Sequence, residues 1–169
     1  EMCIRDRFMI VNRCRISHRN VVLFFQPALG FLAKRVIFMS DESIDTLVIG
    51  GGQAGIAMSE HLSRHGVPHL VVERSRIAER WRSERWDSLV ANGPAWHDRF
   101  PNLTFDNVDP DGFASREQIV SYFEDYARKI DAPVRCGVNI TELRRTPEGF
   151  LATSPSGTIA CRRVVVATG

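Results

Sequence analysis

Residues 45–74 constrain the fold of this chain more than any other stretch. They open on a short apolar, β-branched run at residues 46–49, which is typical of a strand buried on both faces of a parallel sheet. Three glycines in the G-x-G-x-x-G spacing follow, and a second apolar run then ends on Glu73. This order of strand, glycine turn, helix, strand and acid predicts a dinucleotide-binding unit.

Each glycine of the turn has its own steric reason. Gly50 permits the tight turn, Gly52 lets the backbone approach a diphosphate, and Gly55 lets helix and strand pack closely. The three together therefore predict a site for the diphosphate of a dinucleotide. An empty, vestigial glycine turn in a doubly wound domain is the alternative interpretation.

A helix over residues 53–65, ended by Gly66, is predicted after the turn. Its first N–H groups, at Gln53 and Ala54, and its dipole together favour an anion. Glu73 follows the first glycine at close to the roughly 20 residues expected for a carboxylate that accepts ribose hydroxyls. Glu73 therefore favours an unphosphorylated ribose, and Arg74 beside it is assigned to the same site. The spacing itself leaves both FAD and NAD open.

The far end of the chain narrows this choice. Residues 162–169 form another buried-strand run, and they end on Ala167, Thr168 and Gly169. With the glycine turn, this V-V-V-A-T-G ending resembles the FAD-binding half of flavoproteins that contain two dinucleotide-binding domains. The resemblance implies an α/β fold, a Rossmann-like doubly wound parallel sheet with a β-meander insertion. It also places the last three residues near the flavin, and Ile140, with Val138 as the alternative, near the adenine.

The middle of the chain is similar to one group of that superfamily, the flavin-containing monooxygenases, or group B flavoprotein monooxygenases. Residues 81–92 resemble the region where a tryptophan, an R-W pair and an S-x-x-x-N pattern follow the second strand, and residues 113–127 resemble the next helix. The likeness implies that Trp81, Arg85 and Trp86 lie near the cofactor, although anchoring of the loop to the core is the alternative for the tryptophans. It also makes Asn92 the catalytic candidate, with a simple Asn-Gly-Pro turn as its alternative.

The resemblance further implies a reaction. NADPH would reduce FAD, dioxygen would form a C4a-hydroperoxyflavin, and this would oxygenate a small organic substrate. The second glycine fingerprint, for NADPH, is absent from the chain, so we expect FAD binding without turnover by this part alone. A non-oxygenating FAD-dependent oxidoreductase and a non-catalytic nucleotide-binding or redox-sensing module are the alternatives. Dithiol chemistry is disfavoured because no cysteine lies between Glu73 and Arg135.

Composition and the first residues complete the expectations. The net charge of +2 argues against a nucleic-acid partner, and four cysteines without a secretory signal indicate a reducing cytoplasm. Residues 1–38 are interpreted as a spurious or disordered leader, and residues 39–169 as an incomplete FAD-binding domain. The alternative for residues 21–33 is a surface helix or a targeting segment. A membrane-spanning helix is disfavoured there, because the run is shorter than the about 20 residues that a span needs. No metal site is expected, a small molecule is the expected partner, and the oligomeric state stays open.

Overall fold

The computed structural model of the protein describes residues 22–24 and 42–169. Ten elements are assigned within these ranges. The strands are β1 (Val22–Phe24), β2 (Glu42–Ile49), β3 (His69–Glu73), β4 (Val134–Cys136), β5 (Glu142–Thr146), β6 (Gly149–Ser154) and β7 (Gly157–Val166). The helices are α1 (Gln53–Arg64), α2 (Glu79–Ser83) and α3 (Arg116–Lys129).

The strands form one mixed sheet in the order β4-β3-β2-β7-β6-β5, and β1 pairs with β7 outside this path. The pairs β4–β3, β3–β2 and β2–β7 are parallel, whereas β5–β6 and β6–β7 are antiparallel. Strand β7 joins the two halves because one of its edges pairs with β2 and the other with β6. The predicted α/β architecture, a parallel sheet with a β-meander, is therefore present.

The two faces of the sheet bury different apolar clusters. Successive residues of a strand point to opposite faces, and Val48, Val71 and Val165 accordingly share the face against which α1 packs. Their neighbours Leu47 and Val164 belong to a separate cluster on the opposite face. Residues of the meander and of the segment before it complete this second cluster: Val138, Phe150, Ala152 and Ile159.

The apolar periodicity of residues 116–130 predicts a helix, and α3 occupies all but the last of these residues. A capping box sets its start, because the Ser115 hydroxyl accepts from the Gln118 N–H while the Gln118 side chain accepts from the Ser115 N–H. Its buried face carries Ile119, Phe123 and Tyr126, which pack into one cluster with residues of α1. The apolar periodicity of this segment was a sufficient signal for its position.

The long segment between β3 and α3 is held to the core by stacked aromatic rings. The Phe100 ring lies 4.2 Å from that of Tyr126 and 5.7 Å from that of Tyr122, centroid to centroid. The Phe100 N–H donates to the Tyr122 hydroxyl at 2.6 Å, and this hydroxyl donates to the Leu103 carbonyl at 2.7 Å. Desolvation raises the pKa of Tyr122 to about 12. The phenol therefore stays protonated and keeps both hydrogen bonds at physiological pH.

Two of the tryptophans in this segment do not follow the alternative interpretation, in which they anchor the loop to the core. Trp86 is 62% exposed and Trp96 is 52% exposed, so neither anchors the loop to the core among the described residues. Trp81 alone of the three packs partly against the apolar cluster that contains α1 and α3. Phe100 and Phe105, which stack on Tyr126 and Tyr122, hold this segment to the core instead of Trp86 and Trp96.

The turn signals at residues 145–149 and 155–157 predict three strands after Pro133, and the structure divides the first of them in two. Strand β4 pairs with β3, the chain turns at Gly137 with a φ of +78°, and β5 then joins the meander. The sequence places both cysteines of the domain on predicted strands as small buried residues, which is correct for Cys161 and wrong for Cys136. Cys161 is buried, which raises its pKa to about 11, but Cys136 is exposed on the edge strand β4.

Most of the predicted leader lies outside the described residues. Residues 22–24 are described, and they form the strand that pairs antiparallel with Val164–Val166 of β7. Residues 1–21 and 25–38 are not described, so the interpretation of this segment stays a prediction. Among the helices described, none has the length and apolar character needed to cross a membrane.

We expect Phe100→Ala to lower the free energy of unfolding by about 3–5 kcal/mol, because the ring is 1% exposed and a cavity would replace it. Phe113→Ala is the matched control, since Phe113 is 54% exposed and its loss should change stability by about 0.5 kcal/mol or less. Urea unfolding followed by circular dichroism measures both. Equal losses in the two variants would contradict the aromatic anchor.

Candidate functional site

The glycine turn after β2 is packed so tightly that side chains are excluded at two of its positions. Gly50 has a φ of +113°, and a Cβ there would lie 2.4 Å from the Ala167 carbonyl oxygen. A Cβ on Gly55 would lie 1.9 Å from the Gly50 carbonyl oxygen. The first and third glycines thus bring the ends of β2 and β7 and the start of α1 into direct contact. The close packing of α1 on β2 at Gly55 is the one that the spacing predicts.

The middle glycine of the turn faces open space instead. Apart from its two chain neighbours, no described residue has an atom within 4 Å of the position that a Cβ on Gly52 would take. Gly52 is the N-cap of α1, no side chain caps this end, and the first turn holds no acidic residue. The first helical hydrogen bond runs from the Ile56 N–H to the Gly52 carbonyl, so the N–H groups before Ile56 have no acceptor within the helix. Helix α1 therefore presents a positive end to open space.

Glu73, at the end of β3, is bonded to the glycine turn. Its Oε2 accepts from the Gly51 N–H at 2.6 Å, and its Oε1 accepts from the Ser75 N–H at 2.9 Å. Each carboxylate oxygen has a second lone pair, so both retain capacity for another donor. The predicted ribose acid therefore also fixes the loop that would hold the diphosphate.

Helix α2 forms a wall beside the turn. Its N-cap, Ala78, is buried and left-handed with a φ of +60°, and its N–H donates to the Gly51 carbonyl at 3.3 Å. Trp81 follows on this helix, and the Arg85 guanidinium lies over its ring at 5.8 Å from the centroid. Glu84 accepts from Arg80 at 2.7 Å and from Arg74 at 3.3 Å. A short charged helix thus covers one side of the glycine turn.

These elements enclose a cavity of about 610 Å³, within the range of pockets that bind small molecules and cofactors. Most residues that the sequence assigns to the cofactor line it: Gly50, Gly52, Gln53, Ala54, Glu73, Arg74, Trp81, Arg85, Ile140, Ala167, Thr168 and Gly169. Gly55 does not line it but lies beneath, against the Gly50 carbonyl. Val138, the alternative to Ile140, lines the cavity as well.

Two predicted site residues lie apart from the cavity lining. Trp86 is exposed on the loop after α2, and Asn92 is exposed on the loop that follows. Beside Asn92, the Gly93 N–H donates to Asp98, whose carboxylate also bonds the His97 ring at 2.9 Å. The catalytic assignment of Asn92 and the cofactor contact of Trp86 therefore stay predictions.

Several lining residues were missed from the sequence. Arg80 and Glu84 are spaced four apart, which is a signal for an ion pair on one helix face, but no helix was predicted there. Glu79 and Asn139 line the cavity too, and no motif in the chain singles them out. Among the described residues, no group of three or more His, Cys, Asp or Glu side chains could hold a metal ion.

The fold and the glycine turn define a Rossmann-like domain. The family model for pyridine nucleotide-disulphide oxidoreductases matches residues 47–169. The chain therefore belongs to this family.

Curated relatives come from bacteria and plants. The chain is 36% identical over 127 residues to an uncharacterized CzcO-like oxidoreductase of Geobacillus kaustophilus, which covers 75% of this chain and 36% of the relative. It is 32% identical over 127 residues to the probable indole-3-pyruvate monooxygenase YUCCA1 of Arabidopsis thaliana. This match covers 73% of this chain and 30% of the relative. The chain thus spans about a third of the length of these relatives.

Solved structures share the fold. A flavin-containing monooxygenase from Stenotrophomonas maltophilia superposes with a TM-score of 0.62 at 23% identity, over 73% of this chain and 37% of that one. The bacillithiol disulfide reductase of Staphylococcus aureus gives 0.66 at 15% identity, with the same coverage. At these identities the likeness establishes the α/β fold, which agrees with the architecture predicted from the sequence.

We expect Gly55→Ala to lower the free energy of unfolding by about 1–3 kcal/mol, because the methyl group would overlap the Gly50 carbonyl and push α1 away from β2. Gly52→Ala is the matched control, since its methyl group meets open space and its φ of −86° suits alanine. Thermal and urea unfolding measure both variants. If the two alanines cost the same, the close approach at Gly55 is wrong.

Proposed function

We propose that the chain is the FAD-binding domain of an NAD(P)H-dependent flavoprotein monooxygenase. One observation carries the proposal: the open end of α1 at Gly52, the carboxylate of Glu73 and the β7 end at Thr168 line a single cavity. The monooxygenase names among the relatives and among the structures of the same fold support the choice of flavin chemistry.

The cavity fits the parts of an FAD molecule in order. A diphosphate suits the end of α1, which has neither a capping side chain nor an acid in its first turn. The ribose suits Glu73, whose oxygens keep lone pairs beside the turn that they hold. The adenine would lie against Val138 and Ile140, and the flavin near Trp81.

When bound, FAD would supply electron transfer from a nicotinamide and the activation of dioxygen. The protein groups around it would bind and dry it. Ile49, Val72 and Trp81 give the cavity apolar walls that exclude water, which oxygen transfer requires. Arg85, stacked on Trp81, would place a fixed positive charge near the cofactor.

Asn92 is proposed to act from the other side of the cofactor. Its amide can donate a hydrogen bond without titrating, and the segment that holds it is ordered by the bond between Gly93 and Asp98. Asn92 is exposed and does not line the cavity. This role therefore requires that, in the complete protein, the substrate-binding part of the site form over the loop that contains Asn92. NAD(P)H would bind to the part of that protein outside this chain.

The substrate is proposed to be a small organic molecule handled in the cytoplasm. The relatives named indole-3-pyruvate monooxygenases make aromatic 2-oxo acids one class to test, beside sulfides, amines and ketones. The CzcO-like relatives carry the broader name of oxidoreductase, which also covers a non-oxygenating reaction, the second candidate.

Activity of the complete protein tests the proposal. We expect NADPH oxidation that depends on FAD and that incorporates an oxygen atom from ¹⁸O₂ into at least one substrate of these classes, detected by mass spectrometry. Oxidation of NADPH coupled to another acceptor, with no oxygen incorporated, would support the oxidoreductase instead. Tight binding of adenosine nucleotides without a flavin spectrum would contradict both.

We expect Gly52→Val to weaken FAD binding by at least about 1–3 kcal/mol, because its side chain would occupy the space open to the diphosphate. Ser63→Val, at an exposed position on the same helix, is the matched control and should bind FAD normally. Quenching of flavin fluorescence measures affinity, and circular dichroism confirms that both variants fold. A Gly52→Val protein that copurifies yellow would refute the placement of the diphosphate.

A further inference from the structure

Arg80, on α2, lies close to both the glycine turn and the segment that follows β7. Two residues before it, the Ala78 N–H is bonded to the Gly51 carbonyl, which docks the start of α2 on the turn. On the other side, Nη1 of Arg80 lies 2.9 Å from the position that a Cβ on Gly169 would take. The guanidinium therefore extends from α2 across the cavity to the segment that follows β7.

Glu84 fixes the direction of this guanidinium. Nε of Arg80 donates to Oε2 of Glu84 at 2.7 Å, one helical turn further along α2. The other oxygen of Glu84, Oε1, accepts from Nη2 of Arg74 at 3.3 Å. With Nε taken, the terminal nitrogens of Arg80 make no hydrogen bond to any residue that the structure describes. They are the donors that a ligand in the cavity can reach.

The local charges leave this side of the cavity positive. One carboxylate, Glu84, is shared between two arginines, Arg74 and Arg80. The neighbouring acid, Glu79, is already bonded at 2.7 and 3.0 Å by Arg76, which does not line the cavity. The positive end of α1 lines the same cavity and adds to this charge.

We propose that Arg80, oriented by Glu84, binds the diphosphate of the dinucleotide opposite the N-terminus of α1. This inference rests on the proposed function, and it names the side chain that complements the backbone amides there. The diphosphate is the anionic part of the cofactor, and a guanidinium fork matches phosphate oxygens in both charge and geometry. The anion would thus be held between amides on one side and a cation on the other.

Three variants of the described chain test the role. We expect Arg80→Met to weaken FAD binding at least about tenfold, the loss of one hydrogen bond to a charged group. Binding should also become less sensitive to salt, because salt screens the removed attraction. Arg80→Lys keeps the charge and should recover the salt sensitivity with part of the affinity. Arg76→Met, four residues away and outside the cavity, should bind within about twofold of the unaltered chain.

Fluorescence titrations with FAD at low and high salt provide the measurement, and urea unfolding reports on folding. Arg80 is 48% exposed on a short helix, so its replacement should leave stability close to that of Arg76→Met. Equal affinities for Arg80→Met and Arg76→Met, or unchanged salt sensitivity in Arg80→Met, would overturn the inference. If the unaltered, folded chain binds no FAD, the proposed function itself is wrong, and the inference falls with it.

Discussion

The contact between the Gly50 carbonyl and the backbone of Gly55 is the constraint on which the rest of the site depends. At that distance no side chain fits, because even a methyl group would stand 1.9 Å from an oxygen. The start of α1 is therefore held against the end of β2, and the first N–H groups of the helix are directed into the cavity instead of into the core. Gly50 extends the constraint to β7 through its approach to Ala167. Three elements thus meet around two glycines.

The walls of the cavity are attached to this centre by hydrogen bonds to Gly51. Its N–H donates to Glu73 of β3, and its carbonyl accepts from Ala78 at the start of α2. Gly51 lies between the first two glycines of the G-x-G-x-x-G pattern, at a position that the pattern leaves unspecified. It therefore positions both the acid, Glu73, and the helix, α2, that flank the cavity. Ala78 adopts a left-handed conformation there, which costs alanine about 1–2 kcal/mol, and its buried contacts with the core offset this strain.

The elements with strong local signals were predictable from the sequence. Strands β2 and β3 each contain a short apolar run, at residues 47–49 and 70–72, and α3 has both a capping box and an apolar face. Helix α2 has five residues and buries none of them, so it carries no apolar periodicity to detect. Its position follows from a hydrogen bond to the glycine turn, which is a tertiary interaction. For the same reason Arg80 and Glu84 were missed, although their neighbours Trp81 and Arg85 were assigned to the cofactor and line the cavity.

The sequence also could not predict which aromatic residues of the segment between α2 and α3 reach the core. Anchoring of the loop to the core was the alternative interpretation for its tryptophans, but the stacking partners, Tyr122 and Tyr126, lie on α3 and contact Phe100 instead. Which aromatic residue reaches these rings depends on the path of the chain between Glu84 and Ser115, and composition contains no information on that path. The position of Asn92 depends on the same path. A spacing shared with a family therefore identified the residue without giving its distance from the cavity.

Glu73, next to Arg74 in the chain, and Glu84, which accepts a hydrogen bond from Arg74, have opposite consequences for the proposed cofactor. Glu73 presents a carboxylate where the ribose would lie, so a phosphate on that ribose would meet a like charge. Arg74, the side chain best placed by sequence to accept such a phosphate, donates to Glu84 instead. Glu84 thus bonds both arginines, and its bond to Nε of Arg80 directs that guanidinium toward the segment after β7. In the proposed complex, the negative charge of Glu73 would lie at the ribose hydroxyls and the positive charge of Arg80 at the diphosphate. This separation of charges favours FAD over a 2′-phosphorylated nucleotide.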